Sequence, residues 1–429
     1  MMIEDVEFSK ETGFQDTPIG KTPRDWKTAK LEDVATYING FHFGPTDWKS
    51  KGLPIIRIQN LNDKDAEFNY FQGDIDEKYI IENGDLLFSW SASIGAYVWN
   101  RGKAVLNQHI FKVVPKQGVD KLYLYHALFL AIQQLSSRVH GSTMKHFKKE
   151  ELKTLIPLPP LREQSGIVGV LGVIDSAIEL VDGVIWKTER LKKGLMQTLL
   201  AKGIGHKEYK YSKELDSEIP KEWEVAQLSQ LLEREAITYH LDGNHGELYP
   251  REEEFVSEGV PFLSANMIVD GVIDFSKAKY VTEERARQFR KGVAKDGDVL
   301  FAHNATVGPV SILRINVPYV ILGTTLTSYR CELDCLNNYY LKYYMESPHF
   351  QKQLQRIMKQ TTRNQVPITA QRKLYFVSPP ISEQKRIAEI LSVADKKLET
   401  ERKEKMRLER VKRGLMDLLL TGKVRVKVD

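Results

Sequence analysis

The 429-residue sequence predicts an α+β fold made by tandem duplication: two α+β modules, each followed by a long helix, with the two helices pairing as an antiparallel coiled coil. Three observations predict it. The segment "PLPPLREQSGIVGVLGVID" (Pro157 to Asp175) returns 220 residues later as "VSPPISEQKRIAEILSVAD" (Val377 to Asp395). From Pro160 to Leu200 that offset holds without a gap, with 16 identities in 41 positions. Ahead of each copy lies a stretch of short β-type runs broken by Gly, Asn, Asp and Pro turns.

The elements divide the chain into a first module (1–156), a first long helix (157–205), a second module (206–376) and a second long helix (377–429). "TPRDWKTAKLEDV" (Thr22 to Val34) matches "IPKEWEVAQLSQL" (Ile219 to Leu231) at an offset of 197, aligning Pro23, Trp26 and Leu31 with Pro220, Trp223 and Leu228. "GLPIIRIQNL" (Gly52 to Leu61) then faces "GVPFLSANMI" (Gly259 to Ile268), and "NGDLLFSWSASIGAYVW" (Asn83 to Trp99) faces "DGDVLFAHNATVGPVSI" (Asp296 to Ile312), at offsets of 207 and 213. Drift within the modules and constancy in the helices point to variable globular parts mounted on elements of fixed length. The runs "LPIIRI", "GDLLFSW", "HIFKVV", "VPFLSA", "GDVLFA" and "VPYVILG" read as strands, with one or two helices in each module.

The fixed-length parts carry heptad stripes. In the first, Ile167, Leu171, Ile174, Ile178, Val181, Ile185, Thr188, Leu195 and Leu199 alternate by four and three, interrupted by Lys192. In the second, Ile387, Leu391, Ala394, Leu398, Leu408, Leu415 and Leu419 keep the frame, while Glu401 and Lys405 fall on the seam, so that the helices splay there or these two residues pair. Each stripe needs a partner of equal length, and the simplest arrangement packs one on the other. Forty helical residues make a rod of roughly 60 Å.

Composition narrows the function classes. The hydrophobic share of 42% is that of a globular protein; "LYLYHALFLAI" (Leu122 to Ile132) is too short to span a bilayer, and the opening residues have no signal-peptide layout, so a cytoplasmic protein with no membrane partner is expected. Two cysteines, Cys331 and Cys335, make neither a disulfide framework nor a zinc site. Net charge is +5, all of it accounted for by the stretch from Lys385 to Arg413. "GKT" (Gly20 to Thr22) fails as a phosphate loop because Gln15 stands at the upstream glycine position and Pro23 blocks the following helix. His240 with His245, and His140 with His146, lack the carboxylate or cysteine company of a metal site. No methyltransferase, helicase or nuclease motif is present, and no catalytic residue is assigned.

"GSTMKHFKKEELKTLIPLPPLREQ" leading to a helix that ends "ERLKKGLMQTLLAKGIG", repeated as "PPISEQKRIAEIL" and "VKRGLMDLLLTGKVRV", resembles the specificity subunit of type I restriction-modification enzymes over essentially the whole chain. The resemblance implies a non-catalytic subunit with two target-recognition domains, each reading one half of a bipartite asymmetric site on double-stranded DNA. The helices would set the spacer and dock two methyltransferase subunits, and restriction subunits would complete an ATP-dependent nuclease. AdoMet, ATP and Mg2+ would serve those partners, with no cofactor in this subunit.

Base reading uses amides, imidazoles and cations on loops, and hydroxyls and Lys hold phosphates. The DNA-contact candidates in the first module are Trp90, Ser91 and Ser93 of "WSASIG", Asn107, Gln108 and His109, and Ser142, Thr143 and Lys145 of "GSTMK". Their counterparts are His303, Asn304 and Thr306 of "HNATVG", Thr324 and Thr325, and Thr361, Thr362 and Arg363 of "QTTRNQ". The aromatic turn "NGFHFGPTDW" (Asn39 to Trp48) is a further candidate with no evident match in the second half. The alternative is a coiled-coil scaffold whose duplicated modules bind proteins.

Overall fold

The computed structural model of the chain describes residues 6–63, 65–138, 147–244, 246–359 and 364–428. The chain forms two compact units, Met1–Asp182 with Lys403–Asp429, and Gly183–Arg402. Each unit thus contains one module and a part of each long helix.

In the first unit an antiparallel sheet runs in the order Gly95–Val98, Leu86–Ser89, Ile110–Pro115, Ala35–Asn39. A second sheet runs Asn69–Phe71, Leu53–Ile56, Ala104–Leu106, Ile80–Ile81, with Leu53–Ile56 and Ala104–Leu106 parallel. The second unit repeats both orders: Val310–Ile312, Val299–Ala302, Leu326–Cys331, Ile237–Asp242 in one sheet, and Lys279–Val281, Val260–Leu263, Val320–Leu322, Val293–Ala294 in the other. Here Phe255–Val256 adds one edge strand. The duplication read from the sequence is therefore a duplication of topology, including the parallel pair, Val260–Leu263 with Val320–Leu322.

The long helices are Leu161–Lys202 and Ile381–Leu420. Their seam residues close the cores: Ile167 and Leu171 pack with Met416, Leu419, Trp26, Phe88 and Tyr123 in the first unit, and Leu199 and Leu200 pack with Ile387, Leu391, Trp223, Tyr340 and Phe376 in the second. Pairing is antiparallel, and its polar register obeys the duplication. Lys412 Nζ meets Asp175 at 2.5 Å in the first unit, and Lys192 Nζ meets Asp395 at 2.5 Å in the second. Glu401 and Lys405 find different partners: Glu401 is bound by Lys397 one turn back, and Lys405 Nζ lies 2.7 Å from Asp182 of the facing helix. Long cationic side chains can carry their charge to the edge of such a seam.

The repeated Pro-Pro-x-x-Glu-Gln start has a structural reason beyond the helix dipole. Glu163 is buried and accepts from the Trp26 indole Nε1 at 2.8 Å and from Arg425 Nε and Nη2 at 2.7 and 2.8 Å. Glu383 accepts from Trp223 Nε1 at 2.9 Å and from the Ile204 amide at 2.8 Å, and meets His206 Nε2 at 2.9 Å. In each unit the start of one long helix is thus tied to the tryptophan of its own module and to a basic side chain, Arg425 or His206, just beyond the end of the other helix. The following glutamine is duplicated in role: Gln164 donates to the carbonyls of Pro159 and Gly118 and accepts from the Asp120 amide, as Gln384 does with Pro379, Cys335 and Asn337. Gly203 and Gly422 end the helices with φ of 65° and 70°. A Cβ on Gly203 would stand 2.5 Å from Glu383 and 2.7 Å from Trp223. In the first unit Val6–Lys10 also pairs antiparallel with Val424–Val428, bringing Arg425 to Glu163.

Among the described residues no helix is long and apolar enough to cross a membrane.

Candidate nucleic-acid interface

Two of the three predicted segments in each module meet directly, by the same hydrogen bonds. The Trp90 amide donates to the His109 carbonyl at 3.1 Å, and the His303 amide to the Thr325 carbonyl at 3.0 Å. Two further described residues lie beside them: the Phe147 amide donates to the Trp90 carbonyl at 2.7 Å and the Val366 amide to the His303 carbonyl at 2.8 Å. Ser142, Thr143, Lys145, Thr361, Thr362 and Arg363 lie outside the described residues, as do His140, His146 and His245. In the second unit Asn364 and Gln365 carry the link: the Ala305 amide donates to the Asn364 carbonyl at 3.1 Å, and Asn304 bridges Gln365.

Both turns are tight and strained in the same way. The Ser93 amide donates to the Ser91 carbonyl and the Thr306 amide to the Asn304 carbonyl. That closure forces the residue between them into the left-handed region: φ is 57° at Ala92 and 64° at Ala305. His109 has φ of 76°. An L-residue held there costs about 1–2 kcal/mol, and strain of this kind clusters at ligand-binding loops.

The side chains divide between presentation and support. The Trp90 ring lies tilted against the His109 ring, centroids 4.7 Å apart, and donates from Nε1 to Asn39 Oδ1 at 3.1 Å. Asn107, Gln108, Ser93 and Thr324 are half-buried and Thr306 is exposed at this edge. Asn107 Oδ1 accepts from the Gln108 amide at 2.9 Å, and Thr325 Oγ1 from the Ala265 amide at 2.8 Å. Ser91 and His303 are buried. His303 Nδ1 lies 2.9 Å from Thr327 Oγ1, and burial lowers its pKa to about 4, leaving the ring neutral near pH 7. These two side chains shape the loop from beneath it.

The aromatic turn has a counterpart after all. Gly40 and Phe41 correspond to Gly243 and Asn244: the Phe41 amide donates to the Leu106 carbonyl and the Asn244 amide to the Leu322 carbonyl, each at 2.8 Å. A Cβ on Gly40 would stand 2.1 Å from the Asn107 carbonyl, and one on Gly243 2.0 Å from that of Gly323, so both positions require glycine. Phe41 and Asn244 pair in parallel with Asn107 and Gly323. The signal lay in the offset, 203, which falls between 197 and 207. Across Asn39 to Trp48 only Gly40 and His42 recur at that offset, as Gly243 and His245, too few to stand out.

Each unit therefore presents, at the carboxyl ends of its parallel strands, one edge lined by amides, hydroxyls and backbone donors. Among the described residues no group of three or more His, Cys, Asp or Glu could hold a metal ion. His240, singled out in the sequence, is buried, with Nε2 3.2 Å from Gln371.

Comparison with known proteins gives the class to which these duplicated loop edges on paired helices belong. The family described as type I restriction modification DNA specificity domain matches residues 23–189 and 220–410, and the chain belongs to that family. Among individual proteins it is similar to the type I restriction enzyme MjaVIII specificity subunit of Methanocaldococcus jannaschii, 28% identical over 99% of both chains. The putative type I restriction enzyme MjaX specificity subunit of the same organism is also 28% identical, over 99% of this chain and 100% of that one. The fold is shared with the S subunit of a type I restriction-modification system from M. genitalium, with a TM-score of 0.56 at 14% identity, covering 92% of this chain and 96% of that one.

Proposed function

We propose that this chain is the sequence-reading subunit of a type I restriction-modification complex, non-catalytic itself, in which each module reads one half of a bipartite asymmetric DNA site. The observation that carries this is the duplicated edge: two strained turns, 213 residues apart, built by the same hydrogen bonds yet bearing different side chains, Trp90-Ser91-Ala92-Ser93 and His303-Asn304-Ala305-Thr306. Equal scaffolds with unequal readers suit two different half-sites. The paired helices set the spacer between them. AdoMet, ATP and Mg2+ belong to the partners: two methyltransferase subunits, and restriction subunits that join them.

Docking of two like partners is supported by faces that repeat along the helices. Leu191 and Val411 are 60% and 40% exposed, with Trp186 and Met406 exposed five residues earlier. Gly194 and Gly414 follow, and a Cβ on either would meet nothing within 4 Å. Glycine within a helix costs about 1 kcal/mol relative to alanine, and among the described residues no close packing accounts for it at either position. Arg190, Lys193, Arg410 and Arg413 rim these faces and favour an acidic complement.

The experiment is to express the chain with its methyltransferase partner and map the modified adenines or cytosines genome-wide. A motif of two unlike halves separated by an unspecified spacer is expected; a continuous motif, or no methylation dependent on this chain, overturns the proposal.

A further inference from the structure

We propose that Phe41 is an apolar wedge which the first unit inserts at a base step of its half-site, distorting the DNA there, while the second unit reads its half-site without one. This rests on the reading above that the first unit binds DNA.

An isolated exposed apolar residue is ordinary on a protein surface. Phe41 differs in where it stands and how it is held. Its backbone is fastened to the recognition edge: its amide donates to the Leu106 carbonyl, and its own carbonyl accepts from the Gln108 amide at 2.8 Å. Its side chain is 39% exposed, whereas Phe43, two residues on, is 5% exposed in a small core with Ile55 and Val105. The Phe41 ring meets Phe43 edge-on at 5.0 Å and Tyr79 at 5.3 Å. One buried aromatic thus roots the turn, and a second is braced above it with part of its surface open. His42 beside it is exposed, and at the end of the turn Trp48, 42% exposed, lies 5.4 Å from the Arg57 guanidinium.

The duplication supplies the control. At the same backbone position the second unit has Asn244, fully buried, with Nδ2 donating to the carbonyls of Lys291 and Leu322 at 2.9 and 3.3 Å. Gly246 stands where the first unit has Phe43. The scaffold accordingly does not demand an aromatic here; one unit folds the residue inward and the other holds it out. Proteins that insert Phe, Leu or Met between base pairs unstack the step and kink the duplex. A rigid, braced ring beside amide-bearing loops has the form for that role.

The test uses the full chain with its methyltransferase partner and duplexes of the recognised site carrying 2-aminopurine at successive positions, the methylated base excepted. Wild type is expected to raise fluorescence at one step within or beside one half-site only. Phe41→Ala should abolish that rise and weaken binding about 10- to 100-fold, and Phe41→Leu should keep most of both. An unchanged circular dichroism spectrum and melting curve would show that Phe41→Ala is folded. Specific binding by wild type without any fluorescence rise overturns the wedge and leaves DNA reading standing. So does weakened binding by Phe41→Ala with the rise intact. If wild type binds no duplex specifically, the underlying reading fails and the wedge with it.

Discussion

Replacing Glu163 with alanine removes the acceptor that ties the first long helix to its module. The carboxylate takes the Trp26 indole N–H and two Arg425 N–H groups, all within 2.8 Å. Stranding the buried indole donor costs about 1–3 kcal/mol, and each charge-assisted bond contributes about 1.5–3 kcal/mol. Arg425 is not left alone, because Asp25 still accepts from it at 2.8 and 3.0 Å and Glu11 remains beside it. The loss therefore falls at the lower end of the range for breaking a buried pair, about 3 kcal/mol. Urea unfolding followed by hydrogen exchange should show it as lost protection in 6–10, 22–30 and 424–428. Peptides around 203–223, where Glu383 and Trp223 form the twin junction, should be unaffected. A loss below about 1 kcal/mol, or an equal loss at the twin junction, would refute the reasoning.

Further outcomes follow from the same geometry. Burial would raise the pKa of Asp395, but Lys342 and Lys192 outweigh it and hold the carboxyl below its ordinary value; stability from it is present above about pH 4 and lost as pH falls through the lowered value. Lys192→Met should lessen that acid limb in urea titrations below about pH 4, and an unchanged profile would contradict the assignment. Gly194→Ala with Gly414→Ala should stabilise the isolated chain by about 0.5–1 kcal/mol each and weaken methyltransferase binding. Leu191→Asp and Val411→Asp should each remove one partner copy by native mass spectrometry. DNA affinity should fall steeply with salt, by counterion release; a flat response would favour the protein-binding scaffold.

The helices and the duplication were legible because fixed spacing leaves a period that survives divergence. Lys192, which looks like a break in an apolar seam, has an equivalent in Lys412, each facing an aspartate that the same offset relates. The junctions were half legible. Glu163 and Glu383 lie in the repeated segment, but their basic partners, Arg425 and His206, lie 262 and 177 residues away, and one is arginine where the other is histidine. No local pattern records such a contact. At the recognition edge the polar turns were visible as motifs, while burial was not: Ser91 and His303 read like Ser93 and Asn304 until the strands place them beneath the loop. The Gly40 turn was missed because its constraint is a backbone approach that one glycine satisfies, and beside it the sequence keeps only His42, as His245.

The central claim is that two separate readers are held apart by a helical ruler, and lengthening that ruler tests it most directly. Asp182 faces Lys405 across the seam, so a heptad inserted in one helix alone would break the register; matched seven-residue insertions after Val181 and after Lys405 preserve it. Each helix grows by roughly 10 Å, about three base pairs of duplex. The methylation map of this variant should show both half-sites unchanged and the spacer longer by about three base pairs. An unaltered spacer with both half-sites intact would contradict the account.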